Sequence, residues 1–132
     1  MKKTTITLII FAFIVSSFLL AQNTSNAFKM DAKVFAEKIK TLPNAPLLDI
    51  RTPAEFNDGH IEKAINCDWY ATTFESQVLL LDKSKPVFIY CHSGGRSAAA
   101  VAKMNTLGFK EIYELAGGIS SWKMAGLAVT KK

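Results

Sequence analysis

One stretch of this chain constrains the fold more than any other. Pro86-Val87-Phe88-Ile89-Tyr90 is a short apolar run, and Cys91-His92-Ser93-Gly94-Gly95-Arg96-Ser97 follows it directly. After that loop come the strong helix formers Ala98 to Met104, closed by Gly108. A buried strand running straight into a helix through a glycine-rich loop is half of a βαβ unit, and such units build parallel sheets. The rest of the chain repeats the alternation. Asp31 caps a helix that carries Val34, Phe35 and Ile39 on one side and ends at Leu42-Pro43-Asn44. Pro46 to Ile50 reads as a buried strand. Thr52-Pro53-Ala54-Glu55 is a capping box with proline at the first helical position, opening a helix that stops at Gly59. Ala64 to Cys67 is a further strand, Phe74 to Leu81 a helix, Phe109 to Leu115 the last strand, and Ile119 to Met124 a final helix between Gly118 and Gly126. The expected class is α/β, a parallel sheet with helices on both faces.

The first residues read differently. Met1-Lys2-Lys3 is basic, Thr4 to Phe28 carries no charge, and Ile6 to Ala21 is almost wholly apolar. This is the layout of a secretory signal peptide. Small residues at Ser25 and Ala27 place the cut after Ala27, with Ala21 as a second site; the competing reading is an uncleaved membrane anchor. The expected organisation is therefore a leader over 1–27 and one domain over 28–132, exported to a periplasm-like space. Membrane contact follows only if the leader stays attached. The two leader lysines supply part of the net charge of +5, and the remaining lysines are scattered, which excludes a nucleic-acid interface as the expected function. Two cysteines and two histidines exclude a disulfide-stapled mini-protein and make a four-ligand zinc site a strain on the inventory.

The chemistry concentrates in the Cys91 loop. Ligands of open α/β sheets bind beyond the carboxyl ends of the strands, where this loop lies. Gly94 and Gly95 let successive N–H groups curl toward one centre, the following helix adds the positive end of its dipole, and Arg96 adds a planar cationic fork. A thiol held so titrates at roughly 3.5–7.5, against about 8.5 when free. Cys91 is thus the candidate nucleophile, with His92, Ser93, Gly94, Gly95, Arg96 and Ser97 as the substrate cradle. The bland alternative is an inert thiol ending a strand.

At this loop the chain resembles the rhodanese family of sulfurtransferases in its single-domain form. The likeness extends to Leu47 to Phe56, similar to the family's opening Asp-x-Arg signature; to Gly59-His60-Ile61 with Ala64-Ile65-Asn66; and to Gly117-Gly118 with Trp122, similar to its closing motif. Two departures stand out: Glu62-Lys63 where the family often has Pro-Gly, and Cys67 where an apolar residue is more usual. The resemblance implies a five-stranded parallel sheet flanked by helices and a two-step reaction without metal or organic cofactor. In it, Cys91 takes the outer sulfur of thiosulfate or a persulfide, and the Cys91 persulfide passes that sulfur to a thiol, a protein acceptor or cyanide.

Smaller expectations concern the residues around the loop. Asp49 and Arg51 lie two apart and pair to support the site, while His60 is a structural hydrogen-bonding residue. The capping box accounts for Glu55 and core packing for Trp122, and the alternative for His92, beside substrate binding, is a side chain that faces solvent and tunes substrate preference. Cys67 is either a small buried hydrophobe or the partner of Cys91 in a gating disulfide. Two rival functions remain. A carrier module would hold persulfide without steady turnover. A cysteine phosphatase or arsenate reductase would share the loop logic, but phosphatases of this kind have one residue more between Cys and Arg than the four found here.

Overall fold

The computed structural model describes residues 26–131; the leader expected over 1–27 lies outside them except for Asn26 and Ala27. In chain order the elements are β1 (Asn26–Met30), α1 (Ala32–Thr41), β2 (Leu47–Asp49), α2 (Pro53–Asp58), β3 (Ile65–Asn66), α3 (Phe74–Val78), β4 (Val87–Tyr90), α4 (Gly95–Thr106), β5 (Glu111–Leu115) and α5 (Gly118–Met124). The five strands form one sheet in the order β1-β5-β4-β2-β3, and every pairing is parallel. Among the described residues, no helix is long and apolar enough to cross a membrane.

Alternation along β4 shows why the sheet must be covered twice. Val87 and Ile89 point to a core shared with Val78 of α3 and with Ala100 and Met104 of α4. Phe88 and Tyr90 point the other way, to Phe35 of α1 and to Ile119 and Trp122 of α5. A strand apolar on both faces is stable only between two layers of helix.

The local signals set most boundaries. Asp31 accepts from the Val34 N–H at 3.0 Å and caps α1. Both halves of the Thr52/Glu55 box form, with Pro53 opening α2 and Gly59 closing it. Trp122 packs in the core and its indole N–H donates to the Ala128 carbonyl at 2.9 Å.

Several expectations need correction. Val34 is 51% exposed, and Ala32 takes its place beside Phe35 on the buried side of α1. The third helix stops at Val78; Leu79 and Leu80 turn outward, and Leu80 is 86% exposed. Helix α4 starts three residues before its alanine run, at Gly95, because Gly94 takes a left-handed conformation (φ 109°) and turns the chain into the helix at once. The strand β1 was hidden from a sequence reading because its residues fall across the expected cleavage point. It lies at the sheet edge, mostly exposed, with Ala27 opposite Ile112 and Met30 opposite Leu115.

Lys63 is the non-glycine residue with positive φ among those described, at 66°. It sits where the resembling family often carries glycine, so the departure seen in the sequence is a backbone conformation held by a less suitable side chain.

Candidate active site

Cys91 follows the last residue of β4 and is 1% exposed. The first turn of a helix has N–H groups without intrahelical partners, and here they turn on the sulfur. Gly94 N–H reaches Cys91 Sγ at 3.1 Å and Ser97 N–H at 3.4 Å, with Ser97 Oγ at 3.5 Å. Burial is the largest influence on this thiol and opposes ionisation. The hydrogen bonds from Ser97 Oγ, Ser97 N–H, Gly94 N–H and Ser93 N–H together outweigh it, so Cys91 lies below the ordinary thiol range. Cys67 behaves oppositely: burial, helped by Asp68, raises it to about 11.

The loop keeps this shape because α5 holds it from behind. Ile119 N–H donates to the Cys91 carbonyl at 2.9 Å and Ser120 N–H to the His92 carbonyl at 3.1 Å. With both carbonyls drawn toward α5, the following N–H groups face the sulfur. Gly118 makes this approach feasible: its φ is 61°, and a Cβ there would stand 2.4 Å from the His92 oxygen. That is the physical content of the Gly117-Gly118 motif.

Arg96, expected in the substrate cradle, is half-buried beside the loop and held by two neighbours. Its two terminal nitrogens form a bidentate pair with Glu55, each at 2.8 Å, and the guanidinium lies 5.5 Å from the Tyr70 ring centre. Glu55 therefore does more than cap α2. Its hydrogen bonds to Arg96, then those from Thr52, lower it to about 2 against the cost of burial, and Arg96 is in turn held more firmly charged. No local pattern marks this pair, whose members are 41 residues apart.

Asp49 and Arg51 pair as expected, at 2.6 Å and buried. Tyr90 joins them, its hydroxyl donating to Asp49 Oδ2 at 2.6 Å and accepting from the Ile61 N–H at 3.0 Å. Arg51 also donates to the Gly59 carbonyl at 2.7 Å. The residue before Cys91 is thus tied to β2 and to the Gly59–Ile61 segment. Burial foremost, then the Asp49 carboxylate, raises Tyr90 far above the ordinary phenol range, so it stays a neutral donor. His60 stacks on Phe56 at 3.7 Å and bonds the Phe56 carbonyl through Nδ1, while its backbone bridges to Thr130. These contacts fix His60 within the Gly59–Ile61 segment. His92, Ser93 and Gly95 are exposed around the mouth, Gly94 and Arg96 are half-buried, and Ser97 is buried.

Cys67 and Cys91 are both free thiols. Tyr90 pairs with Asp49 and Asp49 with Asn66. One step further along, Cys91 and Cys67 therefore stand on either side of Ile50, two strand spacings or about 9.5 Å apart. A disulfide needs Cα atoms within about 7 Å, so the gating disulfide does not fit this sheet and Cys67 is the buried hydrophobe. Among the described residues no cluster of His, Cys, Asp and Glu could hold a metal ion.

A doubly covered parallel sheet with a buried thiol held at a helix N-terminus defines an α/β protein with Cys91 as its candidate nucleophile. Comparison with known proteins narrows the class. Residues 31–125 match the Rhodanese-like domain, and the chain belongs to that family. A protein named Sulfurtransferase from Allochromatium vinosum is 31% identical over 101 residues, covering 76% of this chain and 92% of that one. Thiosulfate sulfurtransferase GlpE from Tolumonas auensis is 27% identical, covering 67% and 81%. Two further relatives are longer, the match spanning 56% and 60% of their lengths. The crystal structure of a rhodanese-related protein from Thermoplasma volcanium superposes with a TM-score of 0.69 at 31% identity, covering 80% of this chain and 99% of that one.

Proposed function

We propose that this protein is a sulfurtransferase that moves a sulfane sulfur from thiosulfate or a persulfide to a thiophilic acceptor through a Cys91 persulfide. The observation that carries the reading is the convergence of the Gly94 and Ser97 N–H groups on a buried Sγ at the start of α4. The thiolate attacks the outer sulfur of thiosulfate. A bond forms between Sγ and that sulfur, the sulfur–sulfur bond of thiosulfate breaks, and its electron pair leaves on sulfite. Cyanide or a thiolate then attacks the outer sulfur of the persulfide, and Cys91 departs as a thiolate. Through both steps the negative charge stays within the donor ring and next to Arg96. Arg96, fixed by Glu55 and flanked by exposed His92, Ser93 and Gly95, draws the anionic donor to the mouth.

The test is thiosulfate:cyanide turnover of wild type and Cys91→Ala, with intact-mass analysis after thiosulfate. Turnover with a one-sulfur mass gain, both lost in Cys91→Ala, is the expected result. A mass gain without turnover makes the protein a carrier. Neither signal from folded, reduced protein overturns the reading, and Cys91-dependent hydrolysis of an aryl phosphate would replace it with phosphatase chemistry.

We also propose export by the leader. A cut after Ala27 leaves Phe28 to Met30 to pair with β5, and a cut after Ala21 leaves β1 whole. Sequencing the mature N-terminus in the native host decides between them, and an intact Met1 would contradict export.

A further inference from the structure

Glu114 is an acid inside the sheet that the proposed transfer does not use. It lies in β5, 5% exposed, with Ile89 of β4 beside it on one hand and Lys29 of β1 on the other. Alternation puts it on the same face as Ile112, under the start of α4. A carboxylate is costly to bury without partners, and Glu114 has one hydrogen bond and one longer ion pair. Oε1 lies 2.8 Å from Ser97 Oγ, and Oε2 lies 3.9 Å from Lys29 Nζ. Ser97 Oγ is in turn 3.5 Å from Cys91 Sγ and 3.2 Å from the Gly94 carbonyl. The charged or titratable groups facing Glu114 are therefore Lys29 from β1 and, across Ser97 of α4, Cys91 from the end of β4; Ile89 contributes none.

A hydroxyl offers one proton and two lone pairs. With Glu114 ionised, the Ser97 proton points to Oε1, the shorter and charge-assisted bond. A lone pair of Oγ then faces the sulfur, and the Cys91 S–H fills it. The mirror arrangement is equally complete. A protonated Glu114 donates to Oγ, and the Ser97 O–H donates to a Cys91 thiolate. The two arrangements differ only in which end of the row holds the proton, and both carry one negative charge.

We propose that Glu114 is a positioning residue that takes the Cys91 proton through the Ser97 hydroxyl, so that the thiolate arises by an internal proton shift. In that step the Cys91 S–H bond breaks as its proton joins Oγ, and the Ser97 O–H bond breaks as its proton joins Oε1. The electron pair of the S–H bond stays on sulfur, and no proton enters or leaves the protein. This rests on Cys91 being the nucleophile of the proposed transfer. Over the pH range in which the pair holds one proton, the thiolate fraction is set by this internal partition and is independent of the medium.

The experiment is the rate of Cys91 alkylation by iodoacetamide against pH, read by peptide mass spectrometry so that Cys67 is scored separately. Reduced full-length wild type, Glu114→Gln and Ser97→Ala are compared. Wild type is expected to rise in two steps with a plateau between. Glu114→Gln is expected to give a single step, at least about one pH unit below the upper wild-type step, because no carboxylate opposes the thiolate. Ser97→Ala removes the bridge and lowers the plateau rate at least about tenfold. In difference infrared spectra a carboxylic-acid band is present at the plateau and missing from Glu114→Gln. A single wild-type step, or a plateau unchanged in both variants, overturns the proposal. Should Glu114→Gln not fold, the Ser97→Ala plateau decides by the same criterion. Alkylation does not depend on sulfur transfer. A two-step profile without thiosulfate turnover keeps the relay and removes the transfer reading; turnover with a single step does the reverse.

Discussion

Replacing Gly118 by alanine tests how the active loop is held. The added Cβ would stand 2.4 Å from the His92 oxygen and 2.5 Å from the Cys91 oxygen. An ordinary separation is about 3.5 Å, so the loop and α5 must part by about 1 Å. That displacement strains two hydrogen bonds, Ile119 N–H to the Cys91 carbonyl and Ser120 N–H to the His92 carbonyl, each worth about 1 kcal/mol. The left-handed backbone at φ 61° adds about 1 kcal/mol for a residue with a Cβ. The expected destabilisation is about 3 kcal/mol, at the upper end for one substitution. An error of about 1 Å in a reacting group costs about a hundredfold, so Cys91-dependent turnover should fall by about that factor in protein that is still folded. Urea unfolding and thiosulfate:cyanide turnover measure the two effects. Gly95→Ala, in the same loop, is the control. Nothing lies within 4 Å of its Cβ and its φ is not in the left-handed region, so its stability should match or slightly exceed wild type. A Gly118→Ala protein within about 0.5 kcal/mol of wild type, with Cys91 as reactive as before, would refute the idea that α5 sets the loop.

Two further outcomes follow from the surroundings of the site. Glu55 is lowered from 4.5 to about 2, so its contribution is complete above about pH 4.5 and is lost as pH falls toward 2. Because its side chain is one-third exposed, solvent screening cuts that contribution to about 1 to 2 kcal/mol; unfolding curves of wild type and Glu55→Gln should differ by this amount at pH 6 and converge by pH 2. Lys63→Gly relieves a left-handed residue and should raise stability by about 0.5 to 1 kcal/mol in urea melts; a loss of stability would mean that the lysine side chain supports the turn.

The sequence was most informative where the physics is local. The Asp31 cap, the Thr52/Glu55 box and the Gly94 turn each act within a few residues, and each stands where the pattern placed it. The candidate nucleophile was legible for the same reason: β4, the loop and α4 are contiguous, so one stretch of chain delivers a thiol to a helix N-terminus. Asp49 with Arg51 needed only the two-residue repeat of a strand. Boundaries were less legible, since Leu79-Leu80-Leu81 is equally apolar whether it extends a helix or turns away. The edge strand β1 was masked by a second signal, the small-residue pattern of a cleavage site, that occupies the same positions.

Other features were decided only when the sheet closed. Parallel strands bring together residues far apart in the chain, and no local preference records which ones. Glu55 meets Arg96 across 41 residues, as Tyr90 meets Asp49. Glu114 reaches Ser97 across 17, and the pattern of its strand names no partner for it. The sheet order also separates Cys67 from Cys91 by the width of β2, settling a pairing that composition left open. The sequence by itself determined the repeating units and the cysteine placed at a helix N-terminus. The tertiary structure decided which charges surround that cysteine, because burial and strand order are properties of the whole chain.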